Sequence, residues 1–284
     1  TRRLPVTNAL QTNGTLLDEE WAELFAEGQF LVGISLDGPA SLHDRYRVDT
    51  AGAATHARAL QGAELLKKHG VPYNILCVIT QQIAAAPDTV FDALASHGYL
   101  QFIPCLDALD GQPGEFSLQP EAYGQFLVRT FDRYEDAWRS GRPVSIRAFD
   151  NWVGMLLGQP PESCGMSGRC GHYYVIEADG SVYPCDFYVL DEWRLGNIND
   201  TSFFKLANLP LGAEFCRLSI PLPESCRACP YLAICRGGCR REREPFVGTA
   251  PGSNRLCAGV RLFFDQRLSR LQQLAREVAD LRGN

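Results

Sequence analysis

The stretch Cys226-Arg-Ala-Cys229-Pro-Tyr-Leu-Ala-Ile-Cys235-Arg-Gly-Gly-Cys239 decides the fold, because it places four thiols within fourteen residues in the spacing C-x2-C-x5-C-x3-C. Thiolates this close repel one another unless something cationic holds them. The stretch therefore predicts a zinc ion, an iron–sulfur cluster or disulfides. Gly237 and Gly238 would allow the backbone to approach a bound group, since glycine adopts positive φ without strain.

A count of the cysteines narrows these alternatives. The chain has eleven. Cys77 and Cys105 lie in apolar runs and are predicted to be buried small hydrophobic residues. Cys216 has no partner at a ligand spacing. Eight cysteines remain, which make two sets of four: Cys164, Cys170, Cys185, Cys226, Cys229, Cys235, Cys239 and Cys257.

Four thiolates are what one 4Fe–4S cluster requires, and in two-cluster ferredoxins the last cysteine of a compact run ligates the other cluster. By this analogy Cys226, Cys229 and Cys235 share a cluster with Cys257. The second cluster is then held by Cys239 together with Cys164, Cys170 and Cys185. The alternative from spacing alone is a four-cysteine zinc site formed by the compact run.

Composition limits the classes of function. The chain has 284 residues, an apolar fraction of 45% and a formal charge of −6, which argues against a nucleic-acid or membrane-surface binder. We find no apolar run of transmembrane length and no signal-peptide pattern. The odd cysteine count then favours a reducing, cytoplasmic location. We expect a monomer.

The order of apolar segments predicts an α/β fold. The strand Phe30–Leu36 is apolar on both faces, and strands and helices alternate up to residue 158, as βαβ units do. Gln159-Pro160-Pro161 predicts a domain junction. A hairpin around residues 178–180 would bring Cys170 and Cys185 to the same end. A terminal helix is predicted over residues 260–282.

Taken together, these motifs resemble the anaerobic sulfatase-maturating enzymes, a branch of the radical S-adenosylmethionine (radical SAM) superfamily with a SPASM domain. The matching stretches are Ala9–Gly14, Gly33–Pro39, His43–Arg47, Gln101–Asp107, Tyr183–Asp186 and the cysteine run. The resemblance implies a partial (β/α)6 radical SAM barrel over residues 1–158. An irregular, cysteine-rich SPASM domain with two auxiliary 4Fe–4S clusters and a C-terminal helix would occupy residues 159–284.

The resemblance also implies a reaction. A 5′-deoxyadenosyl radical made from S-adenosylmethionine would abstract a Cβ hydrogen from a cysteine or serine of a sulfatase, which is oxidised to Cα-formylglycine. Ser35 would contact the carboxylate or ribose of S-adenosylmethionine, Arg47 its carboxylate, and Leu106 its adenine. On sequence alone these three would be a turn serine, a surface arginine and a core leucine.

Asp186 follows a proposed cluster ligand and is the predicted general base, although a solvated hairpin aspartate would have the same sequence context. Protein thiolates would fill all four positions of each auxiliary cluster, so we expect both clusters to pass electrons rather than bind substrate. The electron donor would be a flavodoxin or ferredoxin. The cluster charge would be offset by arginines beside the cysteine run: Arg236, Arg240, Arg241 and Arg243.

The sequence departs from the family in one respect. No three cysteines have the radical-generating spacing C-x3-C-x2-C, and the Gly-Gly-Glu-Pro motif is also absent. We interpret this as an N-terminal truncation. A third cluster would then lie upstream, and the chain as given would be inactive in radical chemistry. The alternatives are another SPASM enzyme that modifies a ribosomally made peptide, and a non-enzymatic four-cysteine zinc module.

Overall fold

The computed structural model describes residues 5–171, 173–245 and 252–283, with side chains up to residue 281. None of the described helices combines the length and the apolar character that a membrane span requires.

The larger sheet has five parallel strands in sequential order: β1 (Asn8–Thr12), β2 (Phe30–Ser35), β3 (Tyr73–Ile79), β4 (Tyr99–Pro104) and β5 (Ser145–Ile146). Strand order that follows chain order is the arrangement of a barrel segment, in which each strand is followed by a helix on the outer face. In β2 the side chains of Val32 and Ile34 on one face are fully buried, as the apolar run predicted, whereas Leu31 on the other face is 48% exposed.

The helices that accompany this sheet are α1 (Glu19–Glu27), α2 (Ala40–His43), α3 (His56–Lys68), α4 (Gln81–Ala84), α5 (Pro87–Leu94), α6 (Pro120–Arg139) and α7 (Arg147–Leu156). Local signals fix their ends. The Asp18 carboxylate accepts a hydrogen bond from the Trp21 N–H at 3.0 Å and so caps α1. A proline in the first turn opens α5 and α6.

The cysteine-rich part is built from short elements. Its sheet has three antiparallel strands: β6 (Val175–Ile176), β7 (Ser181–Tyr183) and β8 (Gly196–Asn197). Its helices are α8 (Cys164–Ser167), α9 (Phe203–Ala207), α10 (Pro210–Leu218), α11 (Glu224–Arg227), α12 (Leu232–Cys235) and α13 (Cys257–Gly283). The 3-10 turns of this part cover Asp186–Tyr188, Asp191–Trp193 and Arg240–Arg243, and another at Ala95–His97 lies between α5 and β4.

The long helix α13 returns to the barrel and packs along α6 and α7. Its residues Phe263, Leu271 and Leu274 are buried in the same apolar core as β2–β4. The predicted helix over 260–282 was therefore correct in kind, but it begins at Cys257, three residues earlier.

The structure corrects one prediction about a cysteine. Cys77 is fully buried in β3, as expected, whereas Cys105 is only partly buried. The reason is that β4 ends at Pro104, so that Cys105 already lies beyond the sheet, where its thiol contacts the Leu106 carbonyl.

Candidate active site and thiol clusters

Four cysteines surround one small cavity. Cys226, Cys229, Cys235 and Cys257 line a cavity of about 110 Å³, together with Gly237, Tyr231 and Phe264. They come from α11, the turn after it, the end of α12 and the first residue of α13. Gly237 has φ +84°, so the chain can turn there without strain. This group is called thiol set B below.

The other four cysteines form a second neighbourhood, called thiol set A. The charges of Cys164 and Cys170 act on the Cys239 thiol, and the charge of Cys239 acts on Cys185. The predicted hairpin is present: β6 pairs antiparallel with β7, and Cys185 follows β7. These couplings involve the residues of the predicted set A, including Cys239 of the compact run. The two ligand sets stay a prediction.

Burial favours the protonated form of three of these thiols when nothing is bound: Cys185, Cys235 and Cys239. It raises the pKa of Cys239 and Cys185 to about 12 and that of Cys235 to about 11. The like charge of neighbouring thiols acts in the same direction on Cys235 and Cys239. Thiolates at these positions therefore require a cationic group that displaces their protons.

The donor sets fit a cluster better than a single ion. Within the described ranges no three histidine, cysteine or acidic side chains converge as ligands of one metal ion. All eight cysteines lie in those ranges. Zinc bound by four thiolates needs sulfurs about 2.3 Å from a common centre. A four-iron cluster is wider, and it accepts thiolates that are farther apart.

The predicted S-adenosylmethionine contacts lie along the carboxyl edge of the parallel sheet. Ser35 is the last residue of β2, and Leu106 follows the end of β4, with β3 between them. Both side chains are partly exposed. In barrels of this kind ligands bind at this edge.

Arg47 reaches the same edge through an acidic residue that sequence reasoning missed. Its guanidinium Nε donates to Asp37 Oδ2 at 2.5 Å, and Nη2 donates to Asp37 Oδ1 at 3.3 Å. Asp37 Oδ1 also accepts from the Val78 N–H at 2.9 Å, so the carboxylate joins β2 to β3. The signal in the sequence was an aspartate two residues beyond a strand end.

Asp186 lies beside set A. Its Oδ1 atom is 3.3 Å from the Cys185 thiol, which donates to it, and 3.1 Å from the Phe187 N–H. The residue is exposed, so the carboxylate can be reached from solvent. The geometry places an acceptor next to a cluster ligand at an accessible surface.

A second missed residue joins the barrel to the cysteine-rich part. Asp107 Oδ2 forms a 2.6 Å ion pair with Arg255 Nη2, and both side chains are largely buried. Arg241 Nη2 donates to the Asp107 carbonyl. Asp107 thus connects the edge that carries Leu106 to the segment between Cys239 and Cys257.

Two other groups of residues have structural positions. Cys216, predicted to be isolated, lies close enough to set A for its charge to act on Cys170, and its thiol contacts the Gly171 carbonyl at 3.3 Å. His43 is buried. His69 forms a hydrogen bond with Glu19, and His97 forms one with Tyr73. His172 lies outside the described residues.

Sequence and structure comparisons agree with this architecture. The model of the radical SAM superfamily matches residues 2–93, and that of the SPASM iron–sulfur cluster-binding domain matches residues 164–230. The cysteine-type anaerobic sulfatase-maturating enzyme of Clostridium perfringens is 42% identical over 281 residues, covering 98% of this chain and 76% of the relative. The serine-type enzyme of Bacteroides thetaiotaomicron is 35% identical, covering 91% and 67%.

A solved structure, native anSMEcpe with bound AdoMet and Cp18Cys peptide, superposes with a TM-score of 0.93 at 42% identity over 97% of this chain and 77% of that one. The fold and the thiol sets define a radical SAM protein with a SPASM domain. At this level of identity, the chain belongs to the family of anaerobic sulfatase-maturating enzymes.

Proposed function

We propose that this protein oxidises a cysteine or serine of a sulfatase polypeptide to Cα-formylglycine, with 4Fe–4S clusters and S-adenosylmethionine as cofactors. The observation that carries the proposal is the grouping of eight cysteines into two sets of four within a chain 42% identical to a cysteine-type maturating enzyme. When bound, S-adenosylmethionine and its reducing cluster supply a 5′-deoxyadenosyl radical.

The residues of this chain have distinct roles in the proposal. Ser35 and Arg47 orient the carboxylate end of S-adenosylmethionine at the carboxyl edge of the sheet, with Asp37 fixing the Arg47 guanidinium, and Leu106 packs near the adenine. Asp186 takes the proton of the substrate thiol or hydroxyl.

The two thiol sets hold one auxiliary cluster each. Set A is Cys164, Cys170, Cys185 and Cys239; set B is Cys226, Cys229, Cys235 and Cys257. Because four protein thiolates complete each cluster, both pass electrons from the product towards an external acceptor and do not ligate substrate. Flavodoxin or ferredoxin supplies the reducing electron.

We also propose a domain organisation, an oligomeric state and a location for the protein. Residues 1–158 form the partial barrel and residues 159–284 the SPASM domain with its terminal helix. The protein works as a cytoplasmic monomer without nucleic acid or membrane.

The test has two parts. This chain, reconstituted anaerobically, should bind about eight irons with matching sulfide, whereas a zinc module would bind one zinc without sulfide. Protein that also carries a C-x3-C-x2-C motif should convert a sulfatase peptide to its aldehyde, measured by mass spectrometry. A cluster-loaded protein that forms no aldehyde, but modifies a ribosomally made precursor peptide, would contradict the sulfatase assignment and support the alternative SPASM activity.

Asp186→Asn, made in the protein that also carries the C-x3-C-x2-C motif, tests the proposed general base most directly. We expect formylglycine yield to fall at least about a hundredfold, the usual contribution of a general base, while both clusters stay loaded. Asp191→Asn is the matched control, because Asp191 is also an exposed aspartate that starts a 3-10 turn. Wild-type yield from Asp186→Asn would remove this carboxylate from the mechanism.

A further inference from the structure

Arg243 is a fully buried cation with neutral partners. Its side chain is 1% exposed. Nη2 donates to the Ser219 carbonyl at 2.8 Å and Nη1 to the Pro221 carbonyl at 3.2 Å. Nε donates to the Cys239 carbonyl at 3.4 Å.

Across residues 5–171, 173–245 and 252–283, no carboxylate forms an ion pair with Arg243. The remaining residues include no aspartate or glutamate. Glu242 and Glu244 flank Arg243 in sequence. The Glu242 Oε2 atom accepts from the Cys239 N–H at 3.1 Å and from Asn254 Nδ2 at 2.5 Å, and the Glu244 Oε1 atom accepts from the Tyr188 hydroxyl at 2.8 Å. A buried guanidinium held only by carbonyls is costly unless an anion lies nearby.

The three carbonyls belong to segments that carry ligands of both thiol sets. The Ser219 hydroxyl accepts from the Cys170 N–H at 2.8 Å, which fixes a set A ligand. Pro221 lies two residues before Pro223, whose carbonyl accepts from the Cys226 N–H at 3.0 Å in set B. Arg243 therefore ties the backbones of both sets to one another.

Charge interactions also place Arg243 near both thiol sets. Burial lowers the pKa of Arg243, and thiolates at Cys239, Cys170 and Cys226, which a bound cluster would create, act against that shift. The first two thiols belong to set A and the third to set B. Both sets are thus close enough for their charge to act on this guanidinium.

We infer that Arg243 is a cation shared by the two auxiliary clusters, which locks their ligand backbones together and raises the reduction potential of both. The inference rests on the proposed cluster assignment. A 4Fe–4S core with four thiolates has a net charge of about −2 and gains another negative charge on reduction. A fixed positive charge nearby favours the more negative, reduced form.

Arg240 offers a matched comparison three residues away. It is also buried, and its guanidinium lies 4.3–4.8 Å from the ring centres of Tyr188, Trp193 and Phe215. Its charge acts on Cys170 of set A and on Cys216. Removal of this cation should therefore shift the set A cluster and leave the set B cluster nearly unchanged.

The experiment compares wild type, Arg243→Met, Arg243→Lys and Arg240→Met in the full, anaerobically reconstituted chain. Iron and sulfide are counted first, and both midpoint potentials are then measured by electron paramagnetic resonance during redox titration. For Arg243→Met we expect each cluster's equilibrium constant for one-electron reduction to fall about tenfold, equal to about 59 mV per cluster. Arg243→Lys should retain most of the wild-type potential, because it keeps the charge.

The outcomes separate this inference from the cluster assignment. Wild type without about eight irons would contradict the proposed function. A loaded Arg243→Met protein with neither potential shifted, or only one, would overturn the shared cation. If Arg243→Met fails to load, restoration of loading by Arg243→Lys supports the charge, and equal failure of both variants overturns it.

Discussion

At the scale of a single residue, His43 shows how packing selects one protonation state. Its Nδ1 atom accepts from the Asp37 N–H at 3.2 Å, and Nε2 lies 3.1 Å from Thr55 Oγ1. Thr55 Oγ1 in turn donates to the Arg47 carbonyl at 2.6 Å. The ring must therefore carry its proton on Nε2 and stay neutral. This chain of hydrogen bonds supports the Asp37–Arg47 pair.

The neutral ring predicts a loss of stability in acid. Burial lowers the pKa of His43 from 6.5 to about 4. Below pH 6.5 His43 is protonated in the unfolded chain but stays neutral in the folded chain. The free energy of unfolding therefore decreases as the pH falls towards 4. The full effect is about 3 kcal/mol, since one pKa unit corresponds to about 1.4 kcal/mol.

Urea unfolding of wild type and His43→Gln between pH 7.5 and 5 measures this contribution. The free energy of unfolding should fall more steeply with decreasing pH in wild type than in the variant. Parallel curves for the two proteins would show that His43 titrates alike in the folded and unfolded chain.

At the scale of an element, the contact between α6 and α13 depends on two glycines. A Cβ atom on Gly259 would lie 2.0 Å from the Pro120 carbonyl oxygen, and one on Gly124 would lie 2.8 Å from the Gly259 backbone. The helices can approach so closely only because neither residue has a side chain. Gly259 is also two residues from Cys257, so the contact positions a ligand of thiol set B.

Gly259→Ala should therefore lower the free energy of unfolding by about 1–3 kcal/mol, the usual cost of overpacking a core. Gly154→Ala in α7 is the control, because its Cβ would meet only the flexible Gln159 side chain. There the better helix propensity of alanine should add up to about 1 kcal/mol. Denaturant unfolding measures both, and equal changes in the two variants would contradict the close-contact argument.

Whether an element could be predicted from the sequence depended on its length and pattern. The parallel sheet was predictable, because β2 and β3 are long apolar runs separated by strongly patterned helices. The short helices α8, α11 and α12 were not, since four residues show no periodicity and tertiary contacts hold them.

The candidate site likewise has residues that could be predicted from the sequence and residues that could not. The two sets of four cysteines could be predicted from the compact run, the cysteine count and the analogy to two-cluster ferredoxins. The positions of Cys216, Asp107 and Arg243 depend instead on contacts between segments far apart in sequence.

At the scale of the whole molecule, apolar burial is unevenly distributed. The main core runs from Phe25 in α1 to Ala275 in α13 and includes Ile234 and Leu256 beside thiol set B. The core around the three-stranded sheet consists of Val182, Leu195 and Leu206, with Tyr174 and Leu211 against it. So small a core cannot offset the entropy of ordering its segment, and a cluster bound by set A would have to supply the remaining stability.

Removal of iron should therefore destabilise the segment around the three-stranded sheet before it destabilises the main core. After anaerobic chelation we expect amide hydrogen exchange to accelerate at least about tenfold over residues 175–216, where few apolar contacts remain. Amides of β2, β3 and α6 should keep their protection. Among the predicted cysteine ligands in the described residues, the main core has only Cys235 packed against it, and Cys257 only begins α13. Uniform acceleration along the chain would mean that the clusters stabilise the barrel as well, and unchanged exchange in residues 175–216 would mean that this segment folds without them.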